Sequence, residues 1–282
     1  MLVTLREVLS DAQKNQYGVG LFNTINLEMA KAVLEAAEQS KSPVIIGTAE
    51  CFLDISTLQE LAYFLIPMAK KSKVPVVVHL DHGLTEDAIK EALRLGFSSV
   101  MYDCSTDSYQ NNIKRVANIT KLVHQYGASI EAELGHVGAN EHASEGHGEQ
   151  DNSIYTDPLE AKHYIEQTGV DALAVAIGTA HGAYKSTPKL DINRLDQIAQ
   201  VVKAPLVLHG GSGLSDTDFQ NCIKHGVSKI NIFTDINCAG LEAIHQLYVK
   251  GKGISDVAVA MKEAIREATL KKMLIFGSNN HA

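Results

Sequence analysis

An apolar run stops at Val76–Gly83, "VVVHLDHG", where two histidines flank an aspartate. Imidazole binds metals and moves protons near neutral pH, and a carboxylate can do either. Similar groups recur at the ends of other short apolar runs: Asp103 in "SVMYD", Glu131 and Glu133 in "SIEAEL", and His181 in "GTAHG". His209 follows in "LHGGSG", then Asn231, Thr234 and Asp235 in "NIFTD". His82, His181 and His209 each precede a glycine (Gly83, Gly182, Gly210), which lets backbone approach closely or adopt unusual dihedrals. Three histidines from separate segments suit an open zinc site, with a position left for water or substrate. The turn Gly210–Gly211–Ser212–Gly213, running toward a helix start, exposes backbone N–H groups that suit a phosphate. Metal, phosphate and free carboxylates together suit carbonyl polarisation with proton transfer by an acid. Strand alternation puts His79 and Asp81 on one face, with His82 expected past the strand end as the ligand and His79 as a supporting residue.

These residues need a scaffold that gathers strand ends. Eight β-rich runs provide one: 19–23, 43–47, 75–80, 99–103, 129–134, 172–178, 205–210 and 229–233. Several are nearly continuously apolar, as strands buried on both faces of a parallel sheet must be. Amphipathic stretches alternate with them. "TEDAIKEALRLG" has Thr85 as N-cap, early acids and a closing Gly96, and Asp157–Pro158 opens another helix. "STLQELAYFLIPMAKKS" opens on a Ser-x-x-x-Glu entry weaker than a capping box. The pattern predicts an α/β fold, a (β/α)8 TIM barrel spanning 1–282 as one catalytic domain, with an extra N-terminal helix and a long C-terminal helix. A doubly wound open sheet is the competing architecture. Catalytic groups of such barrels lie at the C-terminal strand ends, and phosphate sites form after strands seven and eight. The longest irregular segment, 136–156, reads as a solvated loop despite its His136, His142, Glu145, His147 and Glu149.

The net charge of −8 and the scattered basic residues exclude nucleic acid as a partner. No apolar run approaches the roughly 18 residues of a membrane helix, so no membrane association is expected. Four separated cysteines, Cys51, Cys104, Cys222 and Cys238, fit reduced thiols in a cytoplasmic protein.

The segments "HLDHG", "YDCS", "EAELG", "AVAIGTAHG", "LVLHGGSG" and "KINIFTD" stand in the order and spacing of the class II, metal-dependent ketose-bisphosphate aldolases. The sequence resembles this family over nearly its whole length, best in the fructose- and tagatose-bisphosphate branch. The resemblance implies reversible aldol cleavage of a phosphorylated ketose to dihydroxyacetone phosphate and an aldehyde. It implies one Zn2+ per subunit on His82, His181 and His209, and Asp81 as the group exchanging the hydroxyl proton. Asp103 and Glu133 match a second metal site. Gly182, Gly210, Gly211, Ser212, Asn231, Ile232, Phe233 and Thr234 match contacts to dihydroxyacetone phosphate, with a monovalent cation (Na+ or K+) nearby. Glu141 matches the proton shuttle of the mobile loop, although Ala139 and His142 depart from the family's pattern there. Phe233 stands where fructose-bisphosphate enzymes carry an acid, which leaves the aldehyde half of the substrate open. A homodimer or homotetramer is implied as well.

Two other functions compete. A zinc hydrolase on a barrel would carry a His-x-His pair on its first strand, which "GLFNTIN" lacks. A non-catalytic barrel that stabilises a partner aldolase would lose ligands or the acid, yet Asp81 and all three histidines are present. A Schiff-base aldolase needs a buried lysine; the sixth strand has none, and the other lysines read as mostly solvated.

Overall fold

The apolar runs form eight strands, β1 (Val19–Asn23), β2 (Val44–Ala49), β3 (Val76–Gly83), β4 (Ser99–Tyr102), β5 (Ser129–Leu134), β6 (Ala172–Val175), β7 (Leu206–Leu208) and β8 (Val227–Ile232). In the computed structural model, which describes residues 1–138, 155–182, 188–249 and 252–282, each strand pairs in parallel with the next. β8 returns to β1, and the sheet closes into a barrel. Closure leaves no open edge, which the doubly wound alternative would have.

The strands are linked by α2 (Leu27–Ser40), α3 (Leu58–Lys71), α4 (Glu86–Leu95), α5 (Tyr109–Gln125), α6 (Pro158–Thr168), α7 (Ile192–Val201) and α8 (Asp216–Lys224). Before them comes α1 (Leu5–Asn15), and after β8 come α9 (Thr234–Val249) and α10 (Ile254–Ile275). The caps follow local chemistry. Thr85 accepts from the Ala88 N–H and Gly96 ends α4 in the left-handed region, as its sequence predicts. α3 differs from expectation: Thr57 and Glu60 form a full capping box. Ser56 instead donates its hydroxyl to the Ile25 carbonyl at 2.8 Å.

α1 closes one end of the barrel. Its Leu5, Val8, Leu9 and Ala12 pack with inward side chains of the strands, including Leu21, Ile45, Val77, Ala174 and Val207. Arg6 pairs with the buried Asp171, which also accepts from the Ile130 N–H at 2.8 Å. The opposite end, where the strands terminate, stays open for chemistry. α10 packs against α2 and α9, and its C-terminal Phe276 meets Phe219 of α8 at 5.1 Å between ring centroids. Among the described residues, no helix is long and apolar enough to cross a membrane.

Candidate metal and substrate site

The three histidines predicted from the strand ends do meet. Their ring centroids lie 4.9 Å apart for His82–His181, 4.6 Å for His82–His209 and 5.8 Å for His181–His209. One nitrogen from each lies within 4.8 Å of the others. His82 reaches this position from inside β3, not from beyond its end. A register shift between Leu80 and Gly83 interrupts the pairing with β4, and His82 adopts φ +41°. A positive φ at a residue with a Cβ costs strain, which an offsetting interaction must hold. The bulge breaks simple alternation, so Asp81 and His82 both contribute to the site.

The hydrogen bonds decide which imidazole nitrogens are available. His82 Nδ1 is bonded to Asp103 Oδ2 at 2.8 Å, leaving Nε2 for the centre of the cluster. His209 Nε2 donates to Glu131 Oε1 at 2.9 Å, and its buried Nδ1 lies 3.1 Å from Glu133 Oε2. His181 Nε2 is buried without a hydrogen-bond partner. Buried polar nitrogens are rarely orphaned, and an orphan converging with two further imidazoles fits a metal-binding donor set. The carboxylates on the remote nitrogens of His82 and His209 are the orienting partners that metal-bound imidazoles need. His82, Asp103 and Glu133 form a second group within the same 4.8 Å limit, so His82 belongs to both.

Electrostatics separate the three rings. Burial pushes His181 down to about 4, helped by His82 and His209, so this ring is neutral at physiological pH. Burial would lower His209 too, but the hydrogen bond to Glu131 and the nearby Glu133 carboxylate raise it to about 10. Burial opposes ionisation of Asp81, yet His82, Lys229, His209 and His79 more than offset it and hold Asp81 well below the usual carboxylate range. Two carboxamides fix its oxygens: Asn23 Nδ2 donates to Oδ2 at 2.7 Å and Asn231 Nδ2 donates to Oδ1 at 3.0 Å.

Lys229 corrects the expectation about lysines. It is fully buried, with Nζ 3.0 Å from Glu131 Oε1 and 2.8 Å from Oε2. Burial would raise Glu131, but Lys229 and the His209 hydrogen bond bring it to about 2. Lys229 is outside the pocket lining and locked in an ion pair, so it is no Schiff-base nucleophile. His79 occupies the same buried layer, with Nδ1 bonded to Ser99 Oγ at 2.8 Å. Burial and Lys229 push it down to about 3, a neutral supporting ring as expected.

A pocket of about 400 Å³ opens above the cluster. Gly182, Gly210, Gly211, Ser212, Asn231, Ile232, Phe233 and Thr234 all line it, beside Asp81, His82 and His181. Gly210 has φ +64°, and an added Cβ would lie 2.4 Å from the Ala180 carbonyl oxygen, so the turn requires glycine. Ser212 Oγ accepts from the N–H groups of Phe233 and Asp235 at 3.3 Å, which draws the turn against the start of α9. Glu141 and the other titratable residues of 139–154 lie outside the described residues.

Asn23, Cys51 and Phe52 also line the pocket and were not anticipated. Asn23 carried a usable signal, as a polar residue ending an otherwise apolar strand. Phe52 carried none, because it sits in a single 3-10 turn (Glu50–Phe52) whose position depends on the closed barrel.

A closed (β/α)8 barrel with three converging histidines and a glycine-rich turn after the seventh strand defines a metal-dependent barrel enzyme acting on a phosphorylated substrate. Residues 3–281 match the family described as fructose-bisphosphate aldolase class-II, and the chain belongs to that family. The fructose-bisphosphate aldolase of Staphylococcus epidermidis is 36% identical over 290 residues, covering 100% of this chain and 99% of that one. The Staphylococcus aureus aldolase is 37% identical over 290 residues with the same coverage. The crystal structure of the YdjI aldolase from Escherichia coli K12 superimposes with a TM-score of 0.90 at 34% identity, covering 100% of both chains. This chain is a class II aldolase, a carbon–carbon lyase that cleaves a phosphorylated ketose into dihydroxyacetone phosphate and an aldehyde.

Proposed function

We propose that His82 Nε2, His181 Nε2 and His209 Nδ1 hold a divalent ion, zinc by the all-imidazole donor set. When bound, that ion supplies Lewis-acid polarisation of the ketose carbonyl and neutralises the charge left on that half of the substrate. Asp81, ionised and held by Asn23 and Asn231, takes the C4 hydroxyl proton. The C4–O bond becomes a carbonyl, the C3–C4 bond breaks, and its electron pair remains with the dihydroxyacetone phosphate half. Glu141 delivers the proton that this carbon then needs. In the condensation direction Asp81 returns its proton to the newly formed hydroxyl.

The phosphate lies against the Gly210–Ser212 turn and the first residues of α9, where N–H groups and the helix dipole favour an anion. Gly182 and residues 231–234 complete this half, with a sodium or potassium ion beside it. Asp103 and Glu133 offer a second metal position with His82. The chain works as one catalytic barrel and assembles into a homodimer or homotetramer.

The convergence of the three imidazoles, with His181 Nε2 buried and without a hydrogen-bond partner, carries this reading. With all three imidazoles and Asp81 in place, the non-catalytic companion has no supporting observation. The test combines metal analysis with an aldol-cleavage assay over a panel of ketose phosphates. His181→Ala and His209→Ala should lose both metal and cleavage. Asp81→Ala should keep the metal and lose at least 100-fold in kcat, on the order expected for a general acid or base. Wild-type rates in Asp81→Ala would overturn its assignment.

A further inference from the structure

The C-terminal helix α10 reaches the phosphate half of the pocket through one side chain. Lys272, in its last turn, places Nζ 2.6 Å from Asp235 Oδ2. Asp235 stands in the first turn of α9, and its N–H donates to Ser212 Oγ at 3.3 Å. Ser212 and Thr234, the residue before Asp235, both line the pocket. Every link from α10 to the glycine-rich turn is therefore a direct contact.

The other end of this linkage is anchored as well. Only 12% of the Lys272 side chain is exposed. Its ammonium lies over the Phe219 ring of α8, 4.6 Å from the centroid, and Phe219 packs on Phe276. An ammonium so little hydrated keeps its carboxylate partner, and the ring face fixes where it sits. α8 itself follows the glycine-rich turn. Ser215 caps it, with Oγ accepting from the Asp218 N–H at 3.1 Å. The contacts close a ring, from the turn through α8 to Lys272, then to Asp235 and back to Ser212.

Ser212 is where this ring meets the chemistry. Its Oγ also accepts from the Phe233 N–H at 3.3 Å. With both lone pairs engaged, the hydroxyl can form a further bond only as a donor. An anionic phosphate requires that polarity. A hydroxyl released from these N–H groups could turn a lone pair toward the anion instead.

Resting on the phosphate placement above, we propose that Lys272 is a positioning residue for the substrate phosphate. Through Asp235 it holds the start of α9, which keeps the Ser212 hydroxyl oriented to donate. Lys272 acts on the phosphate through these two residues and not by contact.

The test uses the zinc-loaded enzyme and measures kcat together with competitive inhibition by dihydroxyacetone phosphate. Lys272→Met should raise that Ki about five-fold or more, within what one hydrogen bond to a charged group contributes. It should lower kcat by less than it raises Ki. Asp235→Asn should act in the same direction, and the double variant should lose little more than either single one, because both substitutions break one linkage. Lys272→Arg keeps the charge and should stay closer to wild type than Lys272→Met. Asp235→Asn keeps the side-chain volume and the backbone N–H, so it carries the test if Lys272→Met does not fold. An unchanged Ki in the single variants, additive losses in the double variant, or a fall in kcat as large as the rise in Ki overturns this inference alone. Wild-type enzyme that cleaves an unphosphorylated ketose as efficiently as its 1-phosphate overturns instead the phosphate placement beneath it.

Discussion

Replacing Lys229 with methionine tests the buried charge layer beneath the metal site. The substitution removes a cation lying 2.8 and 3.0 Å from the two oxygens of Glu131, with both side chains fully buried. The Glu131 carboxylate would remain, out of contact with water and supported by the His209 Nε2–H at 2.9 Å, with His79 Nε2 at 3.9 Å from its other oxygen. Breaking one partner of a buried ion pair costs about 3–5 kcal/mol, because the other charge is left uncompensated. A chain of this size shifts in Tm by roughly 2–4 °C per kcal/mol, so Lys229→Met should melt on the order of 10 °C lower. Replacing both partners, Lys229→Met with Glu131→Gln, removes the stranded charge and keeps an acceptor for His209. That double variant should recover most of the loss, within about 1–2 kcal/mol of wild type, since neutral replacements of buried pairs are often nearly cost-free. Urea unfolding after exhaustive chelation is the appropriate assay, because an ion that binds only the folded state adds its own stabilisation. A single variant losing less than about 1 kcal/mol, or a double variant as unstable as the single, would refute the reasoning.

Two other expectations follow from the site. His209 rises to about 10 from 6.5, so its contribution to the metal-free protein is complete below about pH 6.5 and is lost as pH rises through about 10. Metal binding must displace the proton at Nδ1, so titration calorimetry at pH 8 in buffers of different ionisation enthalpy should show at least one proton released per ion; no release would refute the assignment. In Gly210→Ala, a Cβ would lie 2.4 Å from a backbone oxygen at φ +64°, so the turn must move. KM for the ketose phosphate should rise about ten-fold or more, the equivalent of roughly 1.4 kcal/mol or more, and a wild-type KM would show that the turn does not hold the phosphate.

The barrel was legible because its signals are local. Continuous apolar runs mark strands buried on both faces, and acid-first, glycine-last stretches mark the helices between them. α5, α7 and α9 were not picked out individually. α5 is rich in β-branched and polar residues that favour helix weakly, and forms around the buried face of Val116, Ile119, Thr120 and Val123. α7 offers only Leu195 and Ile198 as buried anchors. α9 begins inside the segment that reads as a phosphate motif.

Within the site, the sequence by itself determined the inventory. Asp81, His82, His181 and His209 each stand at or just beyond a strand's C-terminal end, and a barrel gathers such ends whatever their separation in the chain. Only the tertiary structure decided how each group is used. His82 enters through a bulge at positive φ. The bonds to Asp103 and Glu131 select one nitrogen on His82 and one on His209. Lys229 became a buried cation because the strand turns it inward onto Glu131, 98 residues earlier in the chain. Phe52 met Phe233 because closure brings β2 and β8 to either side of β1. Residue type and strand position are local properties, whereas protonation, tautomer and wall chemistry depend on neighbours that only the closed barrel supplies.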